Sequence, residues 1–135
     1  MIDTNVVLSG IFFGGAPALV IEAWGNGEFD PMVSPEIADE YVRAGRQLER
    51  KVSGLDVAPI LALLIAKATV VLAPNLPERV CTDSADDKFL ACALAGKAPV
   101  VVSGDKQLLK VSGYGGVVVV RPRYFVDHHL KRDLS

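Results

Sequence analysis

An α/β fold, with a central parallel sheet flanked by helices on both faces, is predicted by three features of the sequence. Short apolar runs alternate along the chain with segments that carry helix start and stop signals. The runs, such as Val100-Val101-Val102 and Val117-Val118-Val119-Val120, are apolar throughout rather than alternating with polar residues, as in strands buried on both faces. No repeat, low-complexity tract or linker divides the 135 residues, so one domain spanning 1–135 and one core are expected.

The elements follow in order. Only Met1-Ile2 precede Asp3, so the first strand is expected to be short, either because the start of the chain is misplaced or trimmed or because this strand pairs weakly. Residues 5–12 read as a helical turn or two, ended by Gly14-Gly15. Pro17 suits the first turn of a helix running to about residue 25, with Ala16, Leu19, Val20 and Ala23 as its apolar face and Trp24 packed at its end. Residues 29–33 make the next strand. Ser34-Pro35-Glu36 combines a capping hydroxyl, a first-turn proline and an early acid, so a helix is expected from 35 to about 51. Ser53-Gly54 then breaks the chain, and residues 56–68 form a helix that is apolar all round, hence buried or docked on a partner. Strands at 69–72, 99–102 and 117–120 alternate with helices at 84–94, 106–110 and 122–131.

Composition excludes several classes. Half the residues are apolar and the mean hydropathy is +0.33, which rules out a disordered chain. The longest apolar run, 57–66, is too short to cross a bilayer. No export signal is recognised before Asp3, and Cys81 and Cys92 lack metal-binding or redox spacing; buried, reduced thiols in the cytoplasm are expected. Part of the apolar excess is expected in an oligomer or partner interface. The formal charge of −2 does not exclude a nucleic-acid substrate, because cations on four carboxylates would reverse its sign.

The acids carry the chemistry. Asp3 ends the first strand, and Asp105 follows Val102 across the Ser103-Gly104 turn, so both lie where sites form in open α/β sheets, provided those strands are neighbours. Each reads equally as a strand-end turn residue. Asn5 and Ser103 supply polar groups beside them. Glu40 lies four residues after Glu36, a repulsive helical spacing that a cation would relieve, although alone it reads as a solvated acid. Asp39 has Arg43 four residues on, an expected ion pair. Asp83-Ser84-Ala85-Asp86-Asp87 crowds three acids at a helix start; a capping box of Ser84 with Asp87 accounts for some of them, and Asp87 is placed to lean towards the sheet.

Asp3-Thr4-Asn5, Glu40-Tyr41, Asp87-Lys88-Phe89-Leu90-Ala91-Cys92-Ala93 and Ser103-Gly104-Asp105-Lys106-Gln107-Leu108-Leu109 together, in this order, resemble the PIN domain, most closely its VapC-like toxins of toxin–antitoxin systems. The resemblance implies a PIN-like fold and a Mg²⁺- or Mn²⁺-dependent ribonuclease whose acidic quartet corresponds to Asp3, Glu40, Asp87 and Asp105. Asn5 and Ser103 match accessory polar positions, and Asp86 is an alternative third ligand, with Asp83 behind it. It also implies a homodimer and an antitoxin partner laid across the acidic site.

Physical chemistry agrees with that metal assignment. Four acids with no matching His or Cys set favour hard Mg²⁺ or Mn²⁺ over zinc. Arg43, Arg46 and Arg50 share a stripe after Glu40, and with Lys106 they are candidate RNA phosphate contacts or a plain solvated face. His128 and His129 are expected to face solvent. Two other readings stay open: a phosphoacceptor α/β domain, and a PIN-like module that binds without catalysis.

Overall fold

A computed structural model describes residues 1–52 and 54–130. Helices α1 (Thr4–Phe12), α2 (Gly15–Gly25), α3 (Pro35–Glu49), α4 (Val57–Ala66), α5 (Asp87–Ala95), α6 (Lys106–Lys110) and α7 (Pro122–His128) surround strands β1 (Met32–Val33), β2 (Thr69–Val70), β3 (Val100–Val102) and β4 (Val118–Val120). The expected end of the last helix at Lys131, and Ser53 of the expected chain break, lie outside the described residues. No single helix among those described is long and apolar enough to cross a membrane.

The strands are parallel, but they form two pairs rather than the one continuous sheet expected. β1 pairs with β2, and β3 with β4 in the register Val100 opposite Val118 through Val102 opposite Val120. Strands of two or three residues offer too few ladder bonds to join into a broad sheet. The first three residues run parallel along the other edge of β3: Val102 N–H donates to the Met1 carbonyl and Asp3 N–H to the Val102 carbonyl, both at 2.9 Å. This pairing is what brings Asp3 next to the turn after β3.

One burial expectation needs correction. Residues 69–72 are expected to be a buried strand, yet β2 is only two residues long and exposed, with Val70 55 % exposed, and Leu72, past its end, is 83 % exposed. The α4 helix, expected to be buried or docked on a partner, buries Val57, Leu61 and Leu64 within the chain and leaves Leu63 66 % exposed.

Helix α3 positions the site. Ser34 Oγ accepts from Ile37 N–H at 3.2 Å and Pro35 fills the first turn, fixing the helix start. Ile37, Tyr41 and Gly45, one stripe at four-residue spacing, are buried. At Gly45 an added Cβ would lie 3.2–3.3 Å from Val57 and Leu61, so α3 and α4 approach closely there. The opposite face, with Glu40, Arg43 and Gln47, is left to solvent and to the site. Tyr41 packs edge-on to fully buried Trp24, with ring centroids 6.5 Å apart, and its hydroxyl donates to the Ile2 carbonyl. The core thereby grips the segment that carries Asp3.

Helices α1 and α2 cross tightly at Gly10. A Cβ there would lie 2.4 Å from Ile21 Cγ1 and 2.5 Å from the Pro17 carbonyl oxygen, which cannot rotate away. Overpacking costs about 1–3 kcal/mol, against about 1 kcal/mol gained in helix propensity. Gly10→Ala should therefore lower the melting temperature, as thermal unfolding followed by circular dichroism would record.

Candidate active site

Asp3 leaves the paired N-terminal segment and becomes the N-cap of α1, with only 4 % of its surface exposed. Its carboxylate accepts from the Ser103 hydroxyl at 2.7 Å, with the backbone N–H of Asn5 close by. Fully buried Ser103 also accepts from Asp105 N–H at 3.0 Å, so one hydroxyl ties the first acid to the backbone of the last. Asp105 in turn caps α6 by accepting from Gln107 N–H at 2.8 Å. Glu40 reaches the same place from α3. The Thr4 hydroxyl donates to one of its oxygens, and Lys88 Nζ lies 2.8 Å from the other.

Asp3, Glu40, Asp83, Asp86 and Asp105 line one open cavity of about 370 Å³, with Asn5, Arg43 and Lys88 on its walls. Asp87 is not among them. Its two carboxylate oxygens accept from Val80 N–H at 3.1 Å and Cys81 N–H at 2.7 Å, pinning the loop that leads into α5. The expected capping box of Ser84 with Asp87 is absent as well: Asp83 accepts from Ala85 N–H at 2.9 Å and caps a 3₁₀ turn, Ser84–Asp86, ahead of α5. Asp86 lines the cavity, whereas the Asp87 carboxylate is held by the backbone at Val80 and Cys81 and does not line it. The geometry turns Asp86 inward.

Burial pushes the Asp3 carboxyl above the usual aspartate range; Asp105 and Glu40 add to this, while hydrogen bonds from Ser103 and Asn5 oppose it. Asp86 is pushed up to about 6, first by burial and then by Asp105, Asp83 and Asp3, with Lys88 opposing. Asp87 goes the other way: its burial would raise it, but hydrogen bonds from Cys81 and Val80, with Arg79 nearby, together hold it low. Cys81, buried against Asp87, is pushed up to about 12 and stays a thiol.

The raised Asp86 has a consequence for stability. The folded chain holds this proton more tightly than the unfolded chain, so stability falls as pH rises from the usual aspartate value of 3.8 to about 6, and the effect levels off above that. Melting curves of the metal-free protein should show this decline, and added Mn²⁺ should offset it most above about pH 6.

The other predicted positions divide. Arg43 lines the acidic cavity rather than pairing with Asp39; the ion pairs among the described residues are Lys88–Glu40 and Arg123–Asp127. Arg46, Arg50 and Lys106 are exposed, and Arg46 and Arg50 do not line this cavity. His128 and His129 are exposed, stacked on Tyr124 and Phe125 with ring centroids 4.2 and 5.5 Å apart. Both cysteines are buried and free.

Lys88 is the participant that sequence reasoning passed over. Its ammonium also donates to the Ala85 carbonyl at 2.8 Å and lies 5.0 Å from the centre of the Phe89 ring. The signal was present on the other partner: Glu36 and Glu40 at repulsive spacing asked for a cation, and Lys88 supplies it. Among the described residues no three acid, His or Cys side chains converge as a ready-made ligand set. Internal donors already engage them: the ammonium on Glu40, the hydroxyl on Asp3 and the backbone N–H on Asp105. The donor chemistry nevertheless fits a hard divalent ion, which accepts oxygen ligands and keeps several waters between itself and a few carboxylates.

Acids gathered beyond the carboxyl ends of short parallel strands, under a cover of helices, define an α/β protein with its site at the strand ends. The chain belongs to the PIN domain family, whose profile matches residues 1–107. PIN domains are generally metal-dependent nucleases. The chain is also 30 % identical over 115 residues, 82 % of its own length and 73 % of the relative's, to the uncharacterized protein MJ1680 of Methanocaldococcus jannaschii. No solved structure matches at comparable significance.

Proposed function

We propose that this protein is a metal-dependent ribonuclease that hydrolyses RNA phosphodiester bonds through Asp3, Glu40, Asp86 and Asp105. The observation that carries the reading is the placing of these four acids around one open cavity, with Asp3 desolvated among like charges. A carboxylate so placed is stabilised by a cation. Asp3, Asp86 and Asp105 would hold Mg²⁺ or Mn²⁺, joined by Glu40 once the Lys88 ammonium turns aside. Bound there, the ion supplies Lewis acidity towards the phosphate and lowers the pKa of an attacking water.

The chain's own residues supply the rest. Ser103 keeps the Asp3 carboxylate and the Asp105 backbone in fixed relation, and Tyr41 holds the Ile2 carbonyl just before Asp3. Arg43, at the cavity wall, is available to a phosphate oxygen. Asp87 moves from the quartet to a structural role in the loop before α5.

The family resemblance extends the proposal to the toxin half of a cytoplasmic toxin–antitoxin pair that forms a homodimer. Exposed Leu63, Val70 and Leu72 support a surface available to a protein partner. The test is incubation of purified protein with a pool of cellular RNAs, with and without Mn²⁺, followed by mapping of the new ends. Mn²⁺-dependent cleavage at discrete positions is expected. Metal binding without cleavage would leave a binding module, and a phosphorylated aspartate would point to a phosphoacceptor domain.

A further inference from the structure

The acidic cavity does not end at the acids. Asn5, Ala44 and Gln47 line it and also line a second hollow of about 350 Å³, so the two share a wall along the outer face of α3. The lining changes character on the way. The first cavity holds five carboxylates, whereas the second has none and is closed by Phe13 and Lys51. Phe13, just past the end of α1, is 69 % exposed and makes a tilted contact with Phe12, ring centroids 6.3 Å apart. Glu40, Ala44 and Gln47 recur at helical spacing along α3, and Lys51, just past its end, lines the same hollow as Ala44 and Gln47, so a row of side chains leads from the acids to the ammonium.

A lone exposed aromatic is ordinary on a protein surface. Here its position is what matters: it stands at the end of a track that begins at a phosphodiester-cleaving site and passes from acidic to basic. A nucleic-acid strand leaving that site needs a cation for its next phosphate and a flat apolar face for its next base. We propose that this hollow is a subsite for the nucleotide flanking the scissile phosphate, with an unpaired base on the Phe13 ring, the phosphate on Lys51 and Gln47 donating to base or sugar. The ligand is single-stranded RNA, because a paired base has no free face to offer. Arg43 lines the first cavity and Gln47 and Lys51 the second, while Arg46 and Arg50 line neither.

The subsite rests on the nuclease reading above, and its test separates the two. A short labelled single-stranded RNA is titrated by fluorescence anisotropy against the full chain carrying Asp3→Asn, in Mg²⁺, with Phe13→Ala, Phe13→Trp or Lys51→Ala added. Phe13→Ala should weaken binding about tenfold or more, and Phe13→Trp should restore it. Lys51→Ala should weaken binding and reduce the salt slope by about one. An RNA duplex should bind with no response to Phe13→Ala. Because Phe13 and Lys51 are exposed, none of these changes should alter the melting temperature. If the single strand binds and Phe13→Ala changes nothing, the subsite fails and the nuclease reading stands; if the parent protein neither binds nor cleaves RNA, both fail.

Discussion

Asp3→Asn is expected to lower Mn²⁺-dependent RNA cleavage by on the order of 10²–10³-fold, since a metal ligand is asked to supply several kcal/mol of transition-state stabilisation. The fold should survive. Asparagine keeps an oxygen for the Ser103 hydroxyl, and it removes a charge that burial already disfavours, so the melting temperature should hold or rise slightly. Cleavage assays and thermal melts on the same preparation separate the two effects. Undiminished cleavage by the folded variant would remove Asp3, and with it the proposed quartet.

A paired substitution decides between the adjacent acids at the start of α5. Asp86→Asn should weaken Mn²⁺ binding, read by calorimetric titration, at least about tenfold, since losing even an outer partner of a metal ligand costs roughly 10–100-fold. It should leave stability at neutral pH unchanged or improved, because the charge it deletes is the one burial raises to about 6. Asp87→Asn should do the reverse. It weakens charge-assisted bonds to the partly buried N–H groups of Val80 and Cys81, one of which the amide oxygen can keep, at about 1 kcal/mol, and should lower the melting temperature while Mn²⁺ affinity holds. If Asp87→Asn abolished metal binding and Asp86→Asn did not, the inward and outward assignments would have to be exchanged.

Much of the architecture was readable from local signals. Ser34-Pro35 announced α3, the valine runs announced β3 and β4, and Lys106–Lys110 was read to the residue. Asp3 and Asp105 were legible because a strand end is marked by nearby residues. Glu40 was legible only as an unexplained repulsion, completed by the family resemblance. What escaped depends on packing between distant parts of the chain. Whether Asp86 or Asp87 faces the cavity follows from a 3₁₀ turn and from which carboxylate the backbone at Val80 and Cys81 captures. The Lys88–Glu40 pair joins two helices that no local pattern brings together. The exposure of Val70 and Leu72, in and just past the two-residue β2, is set by tertiary packing that apolar composition alone does not reveal.

The bond from Ser103 to Asp3 spans 100 positions of the chain, and that separation sets a timetable. During synthesis Asp3 emerges early and waits for β3, the turn beyond it and Asp105. At about 5–20 residues per second this interval lasts roughly 5–20 seconds. The waiting segment has no edge to pair with until β3 exists, and the loop that must close is the length of most of the domain. A nascent or truncated chain therefore carries the early acids without a cavity to gather them. The site therefore forms late, with the closing of the fold, and not in step with the synthesis of its first acid.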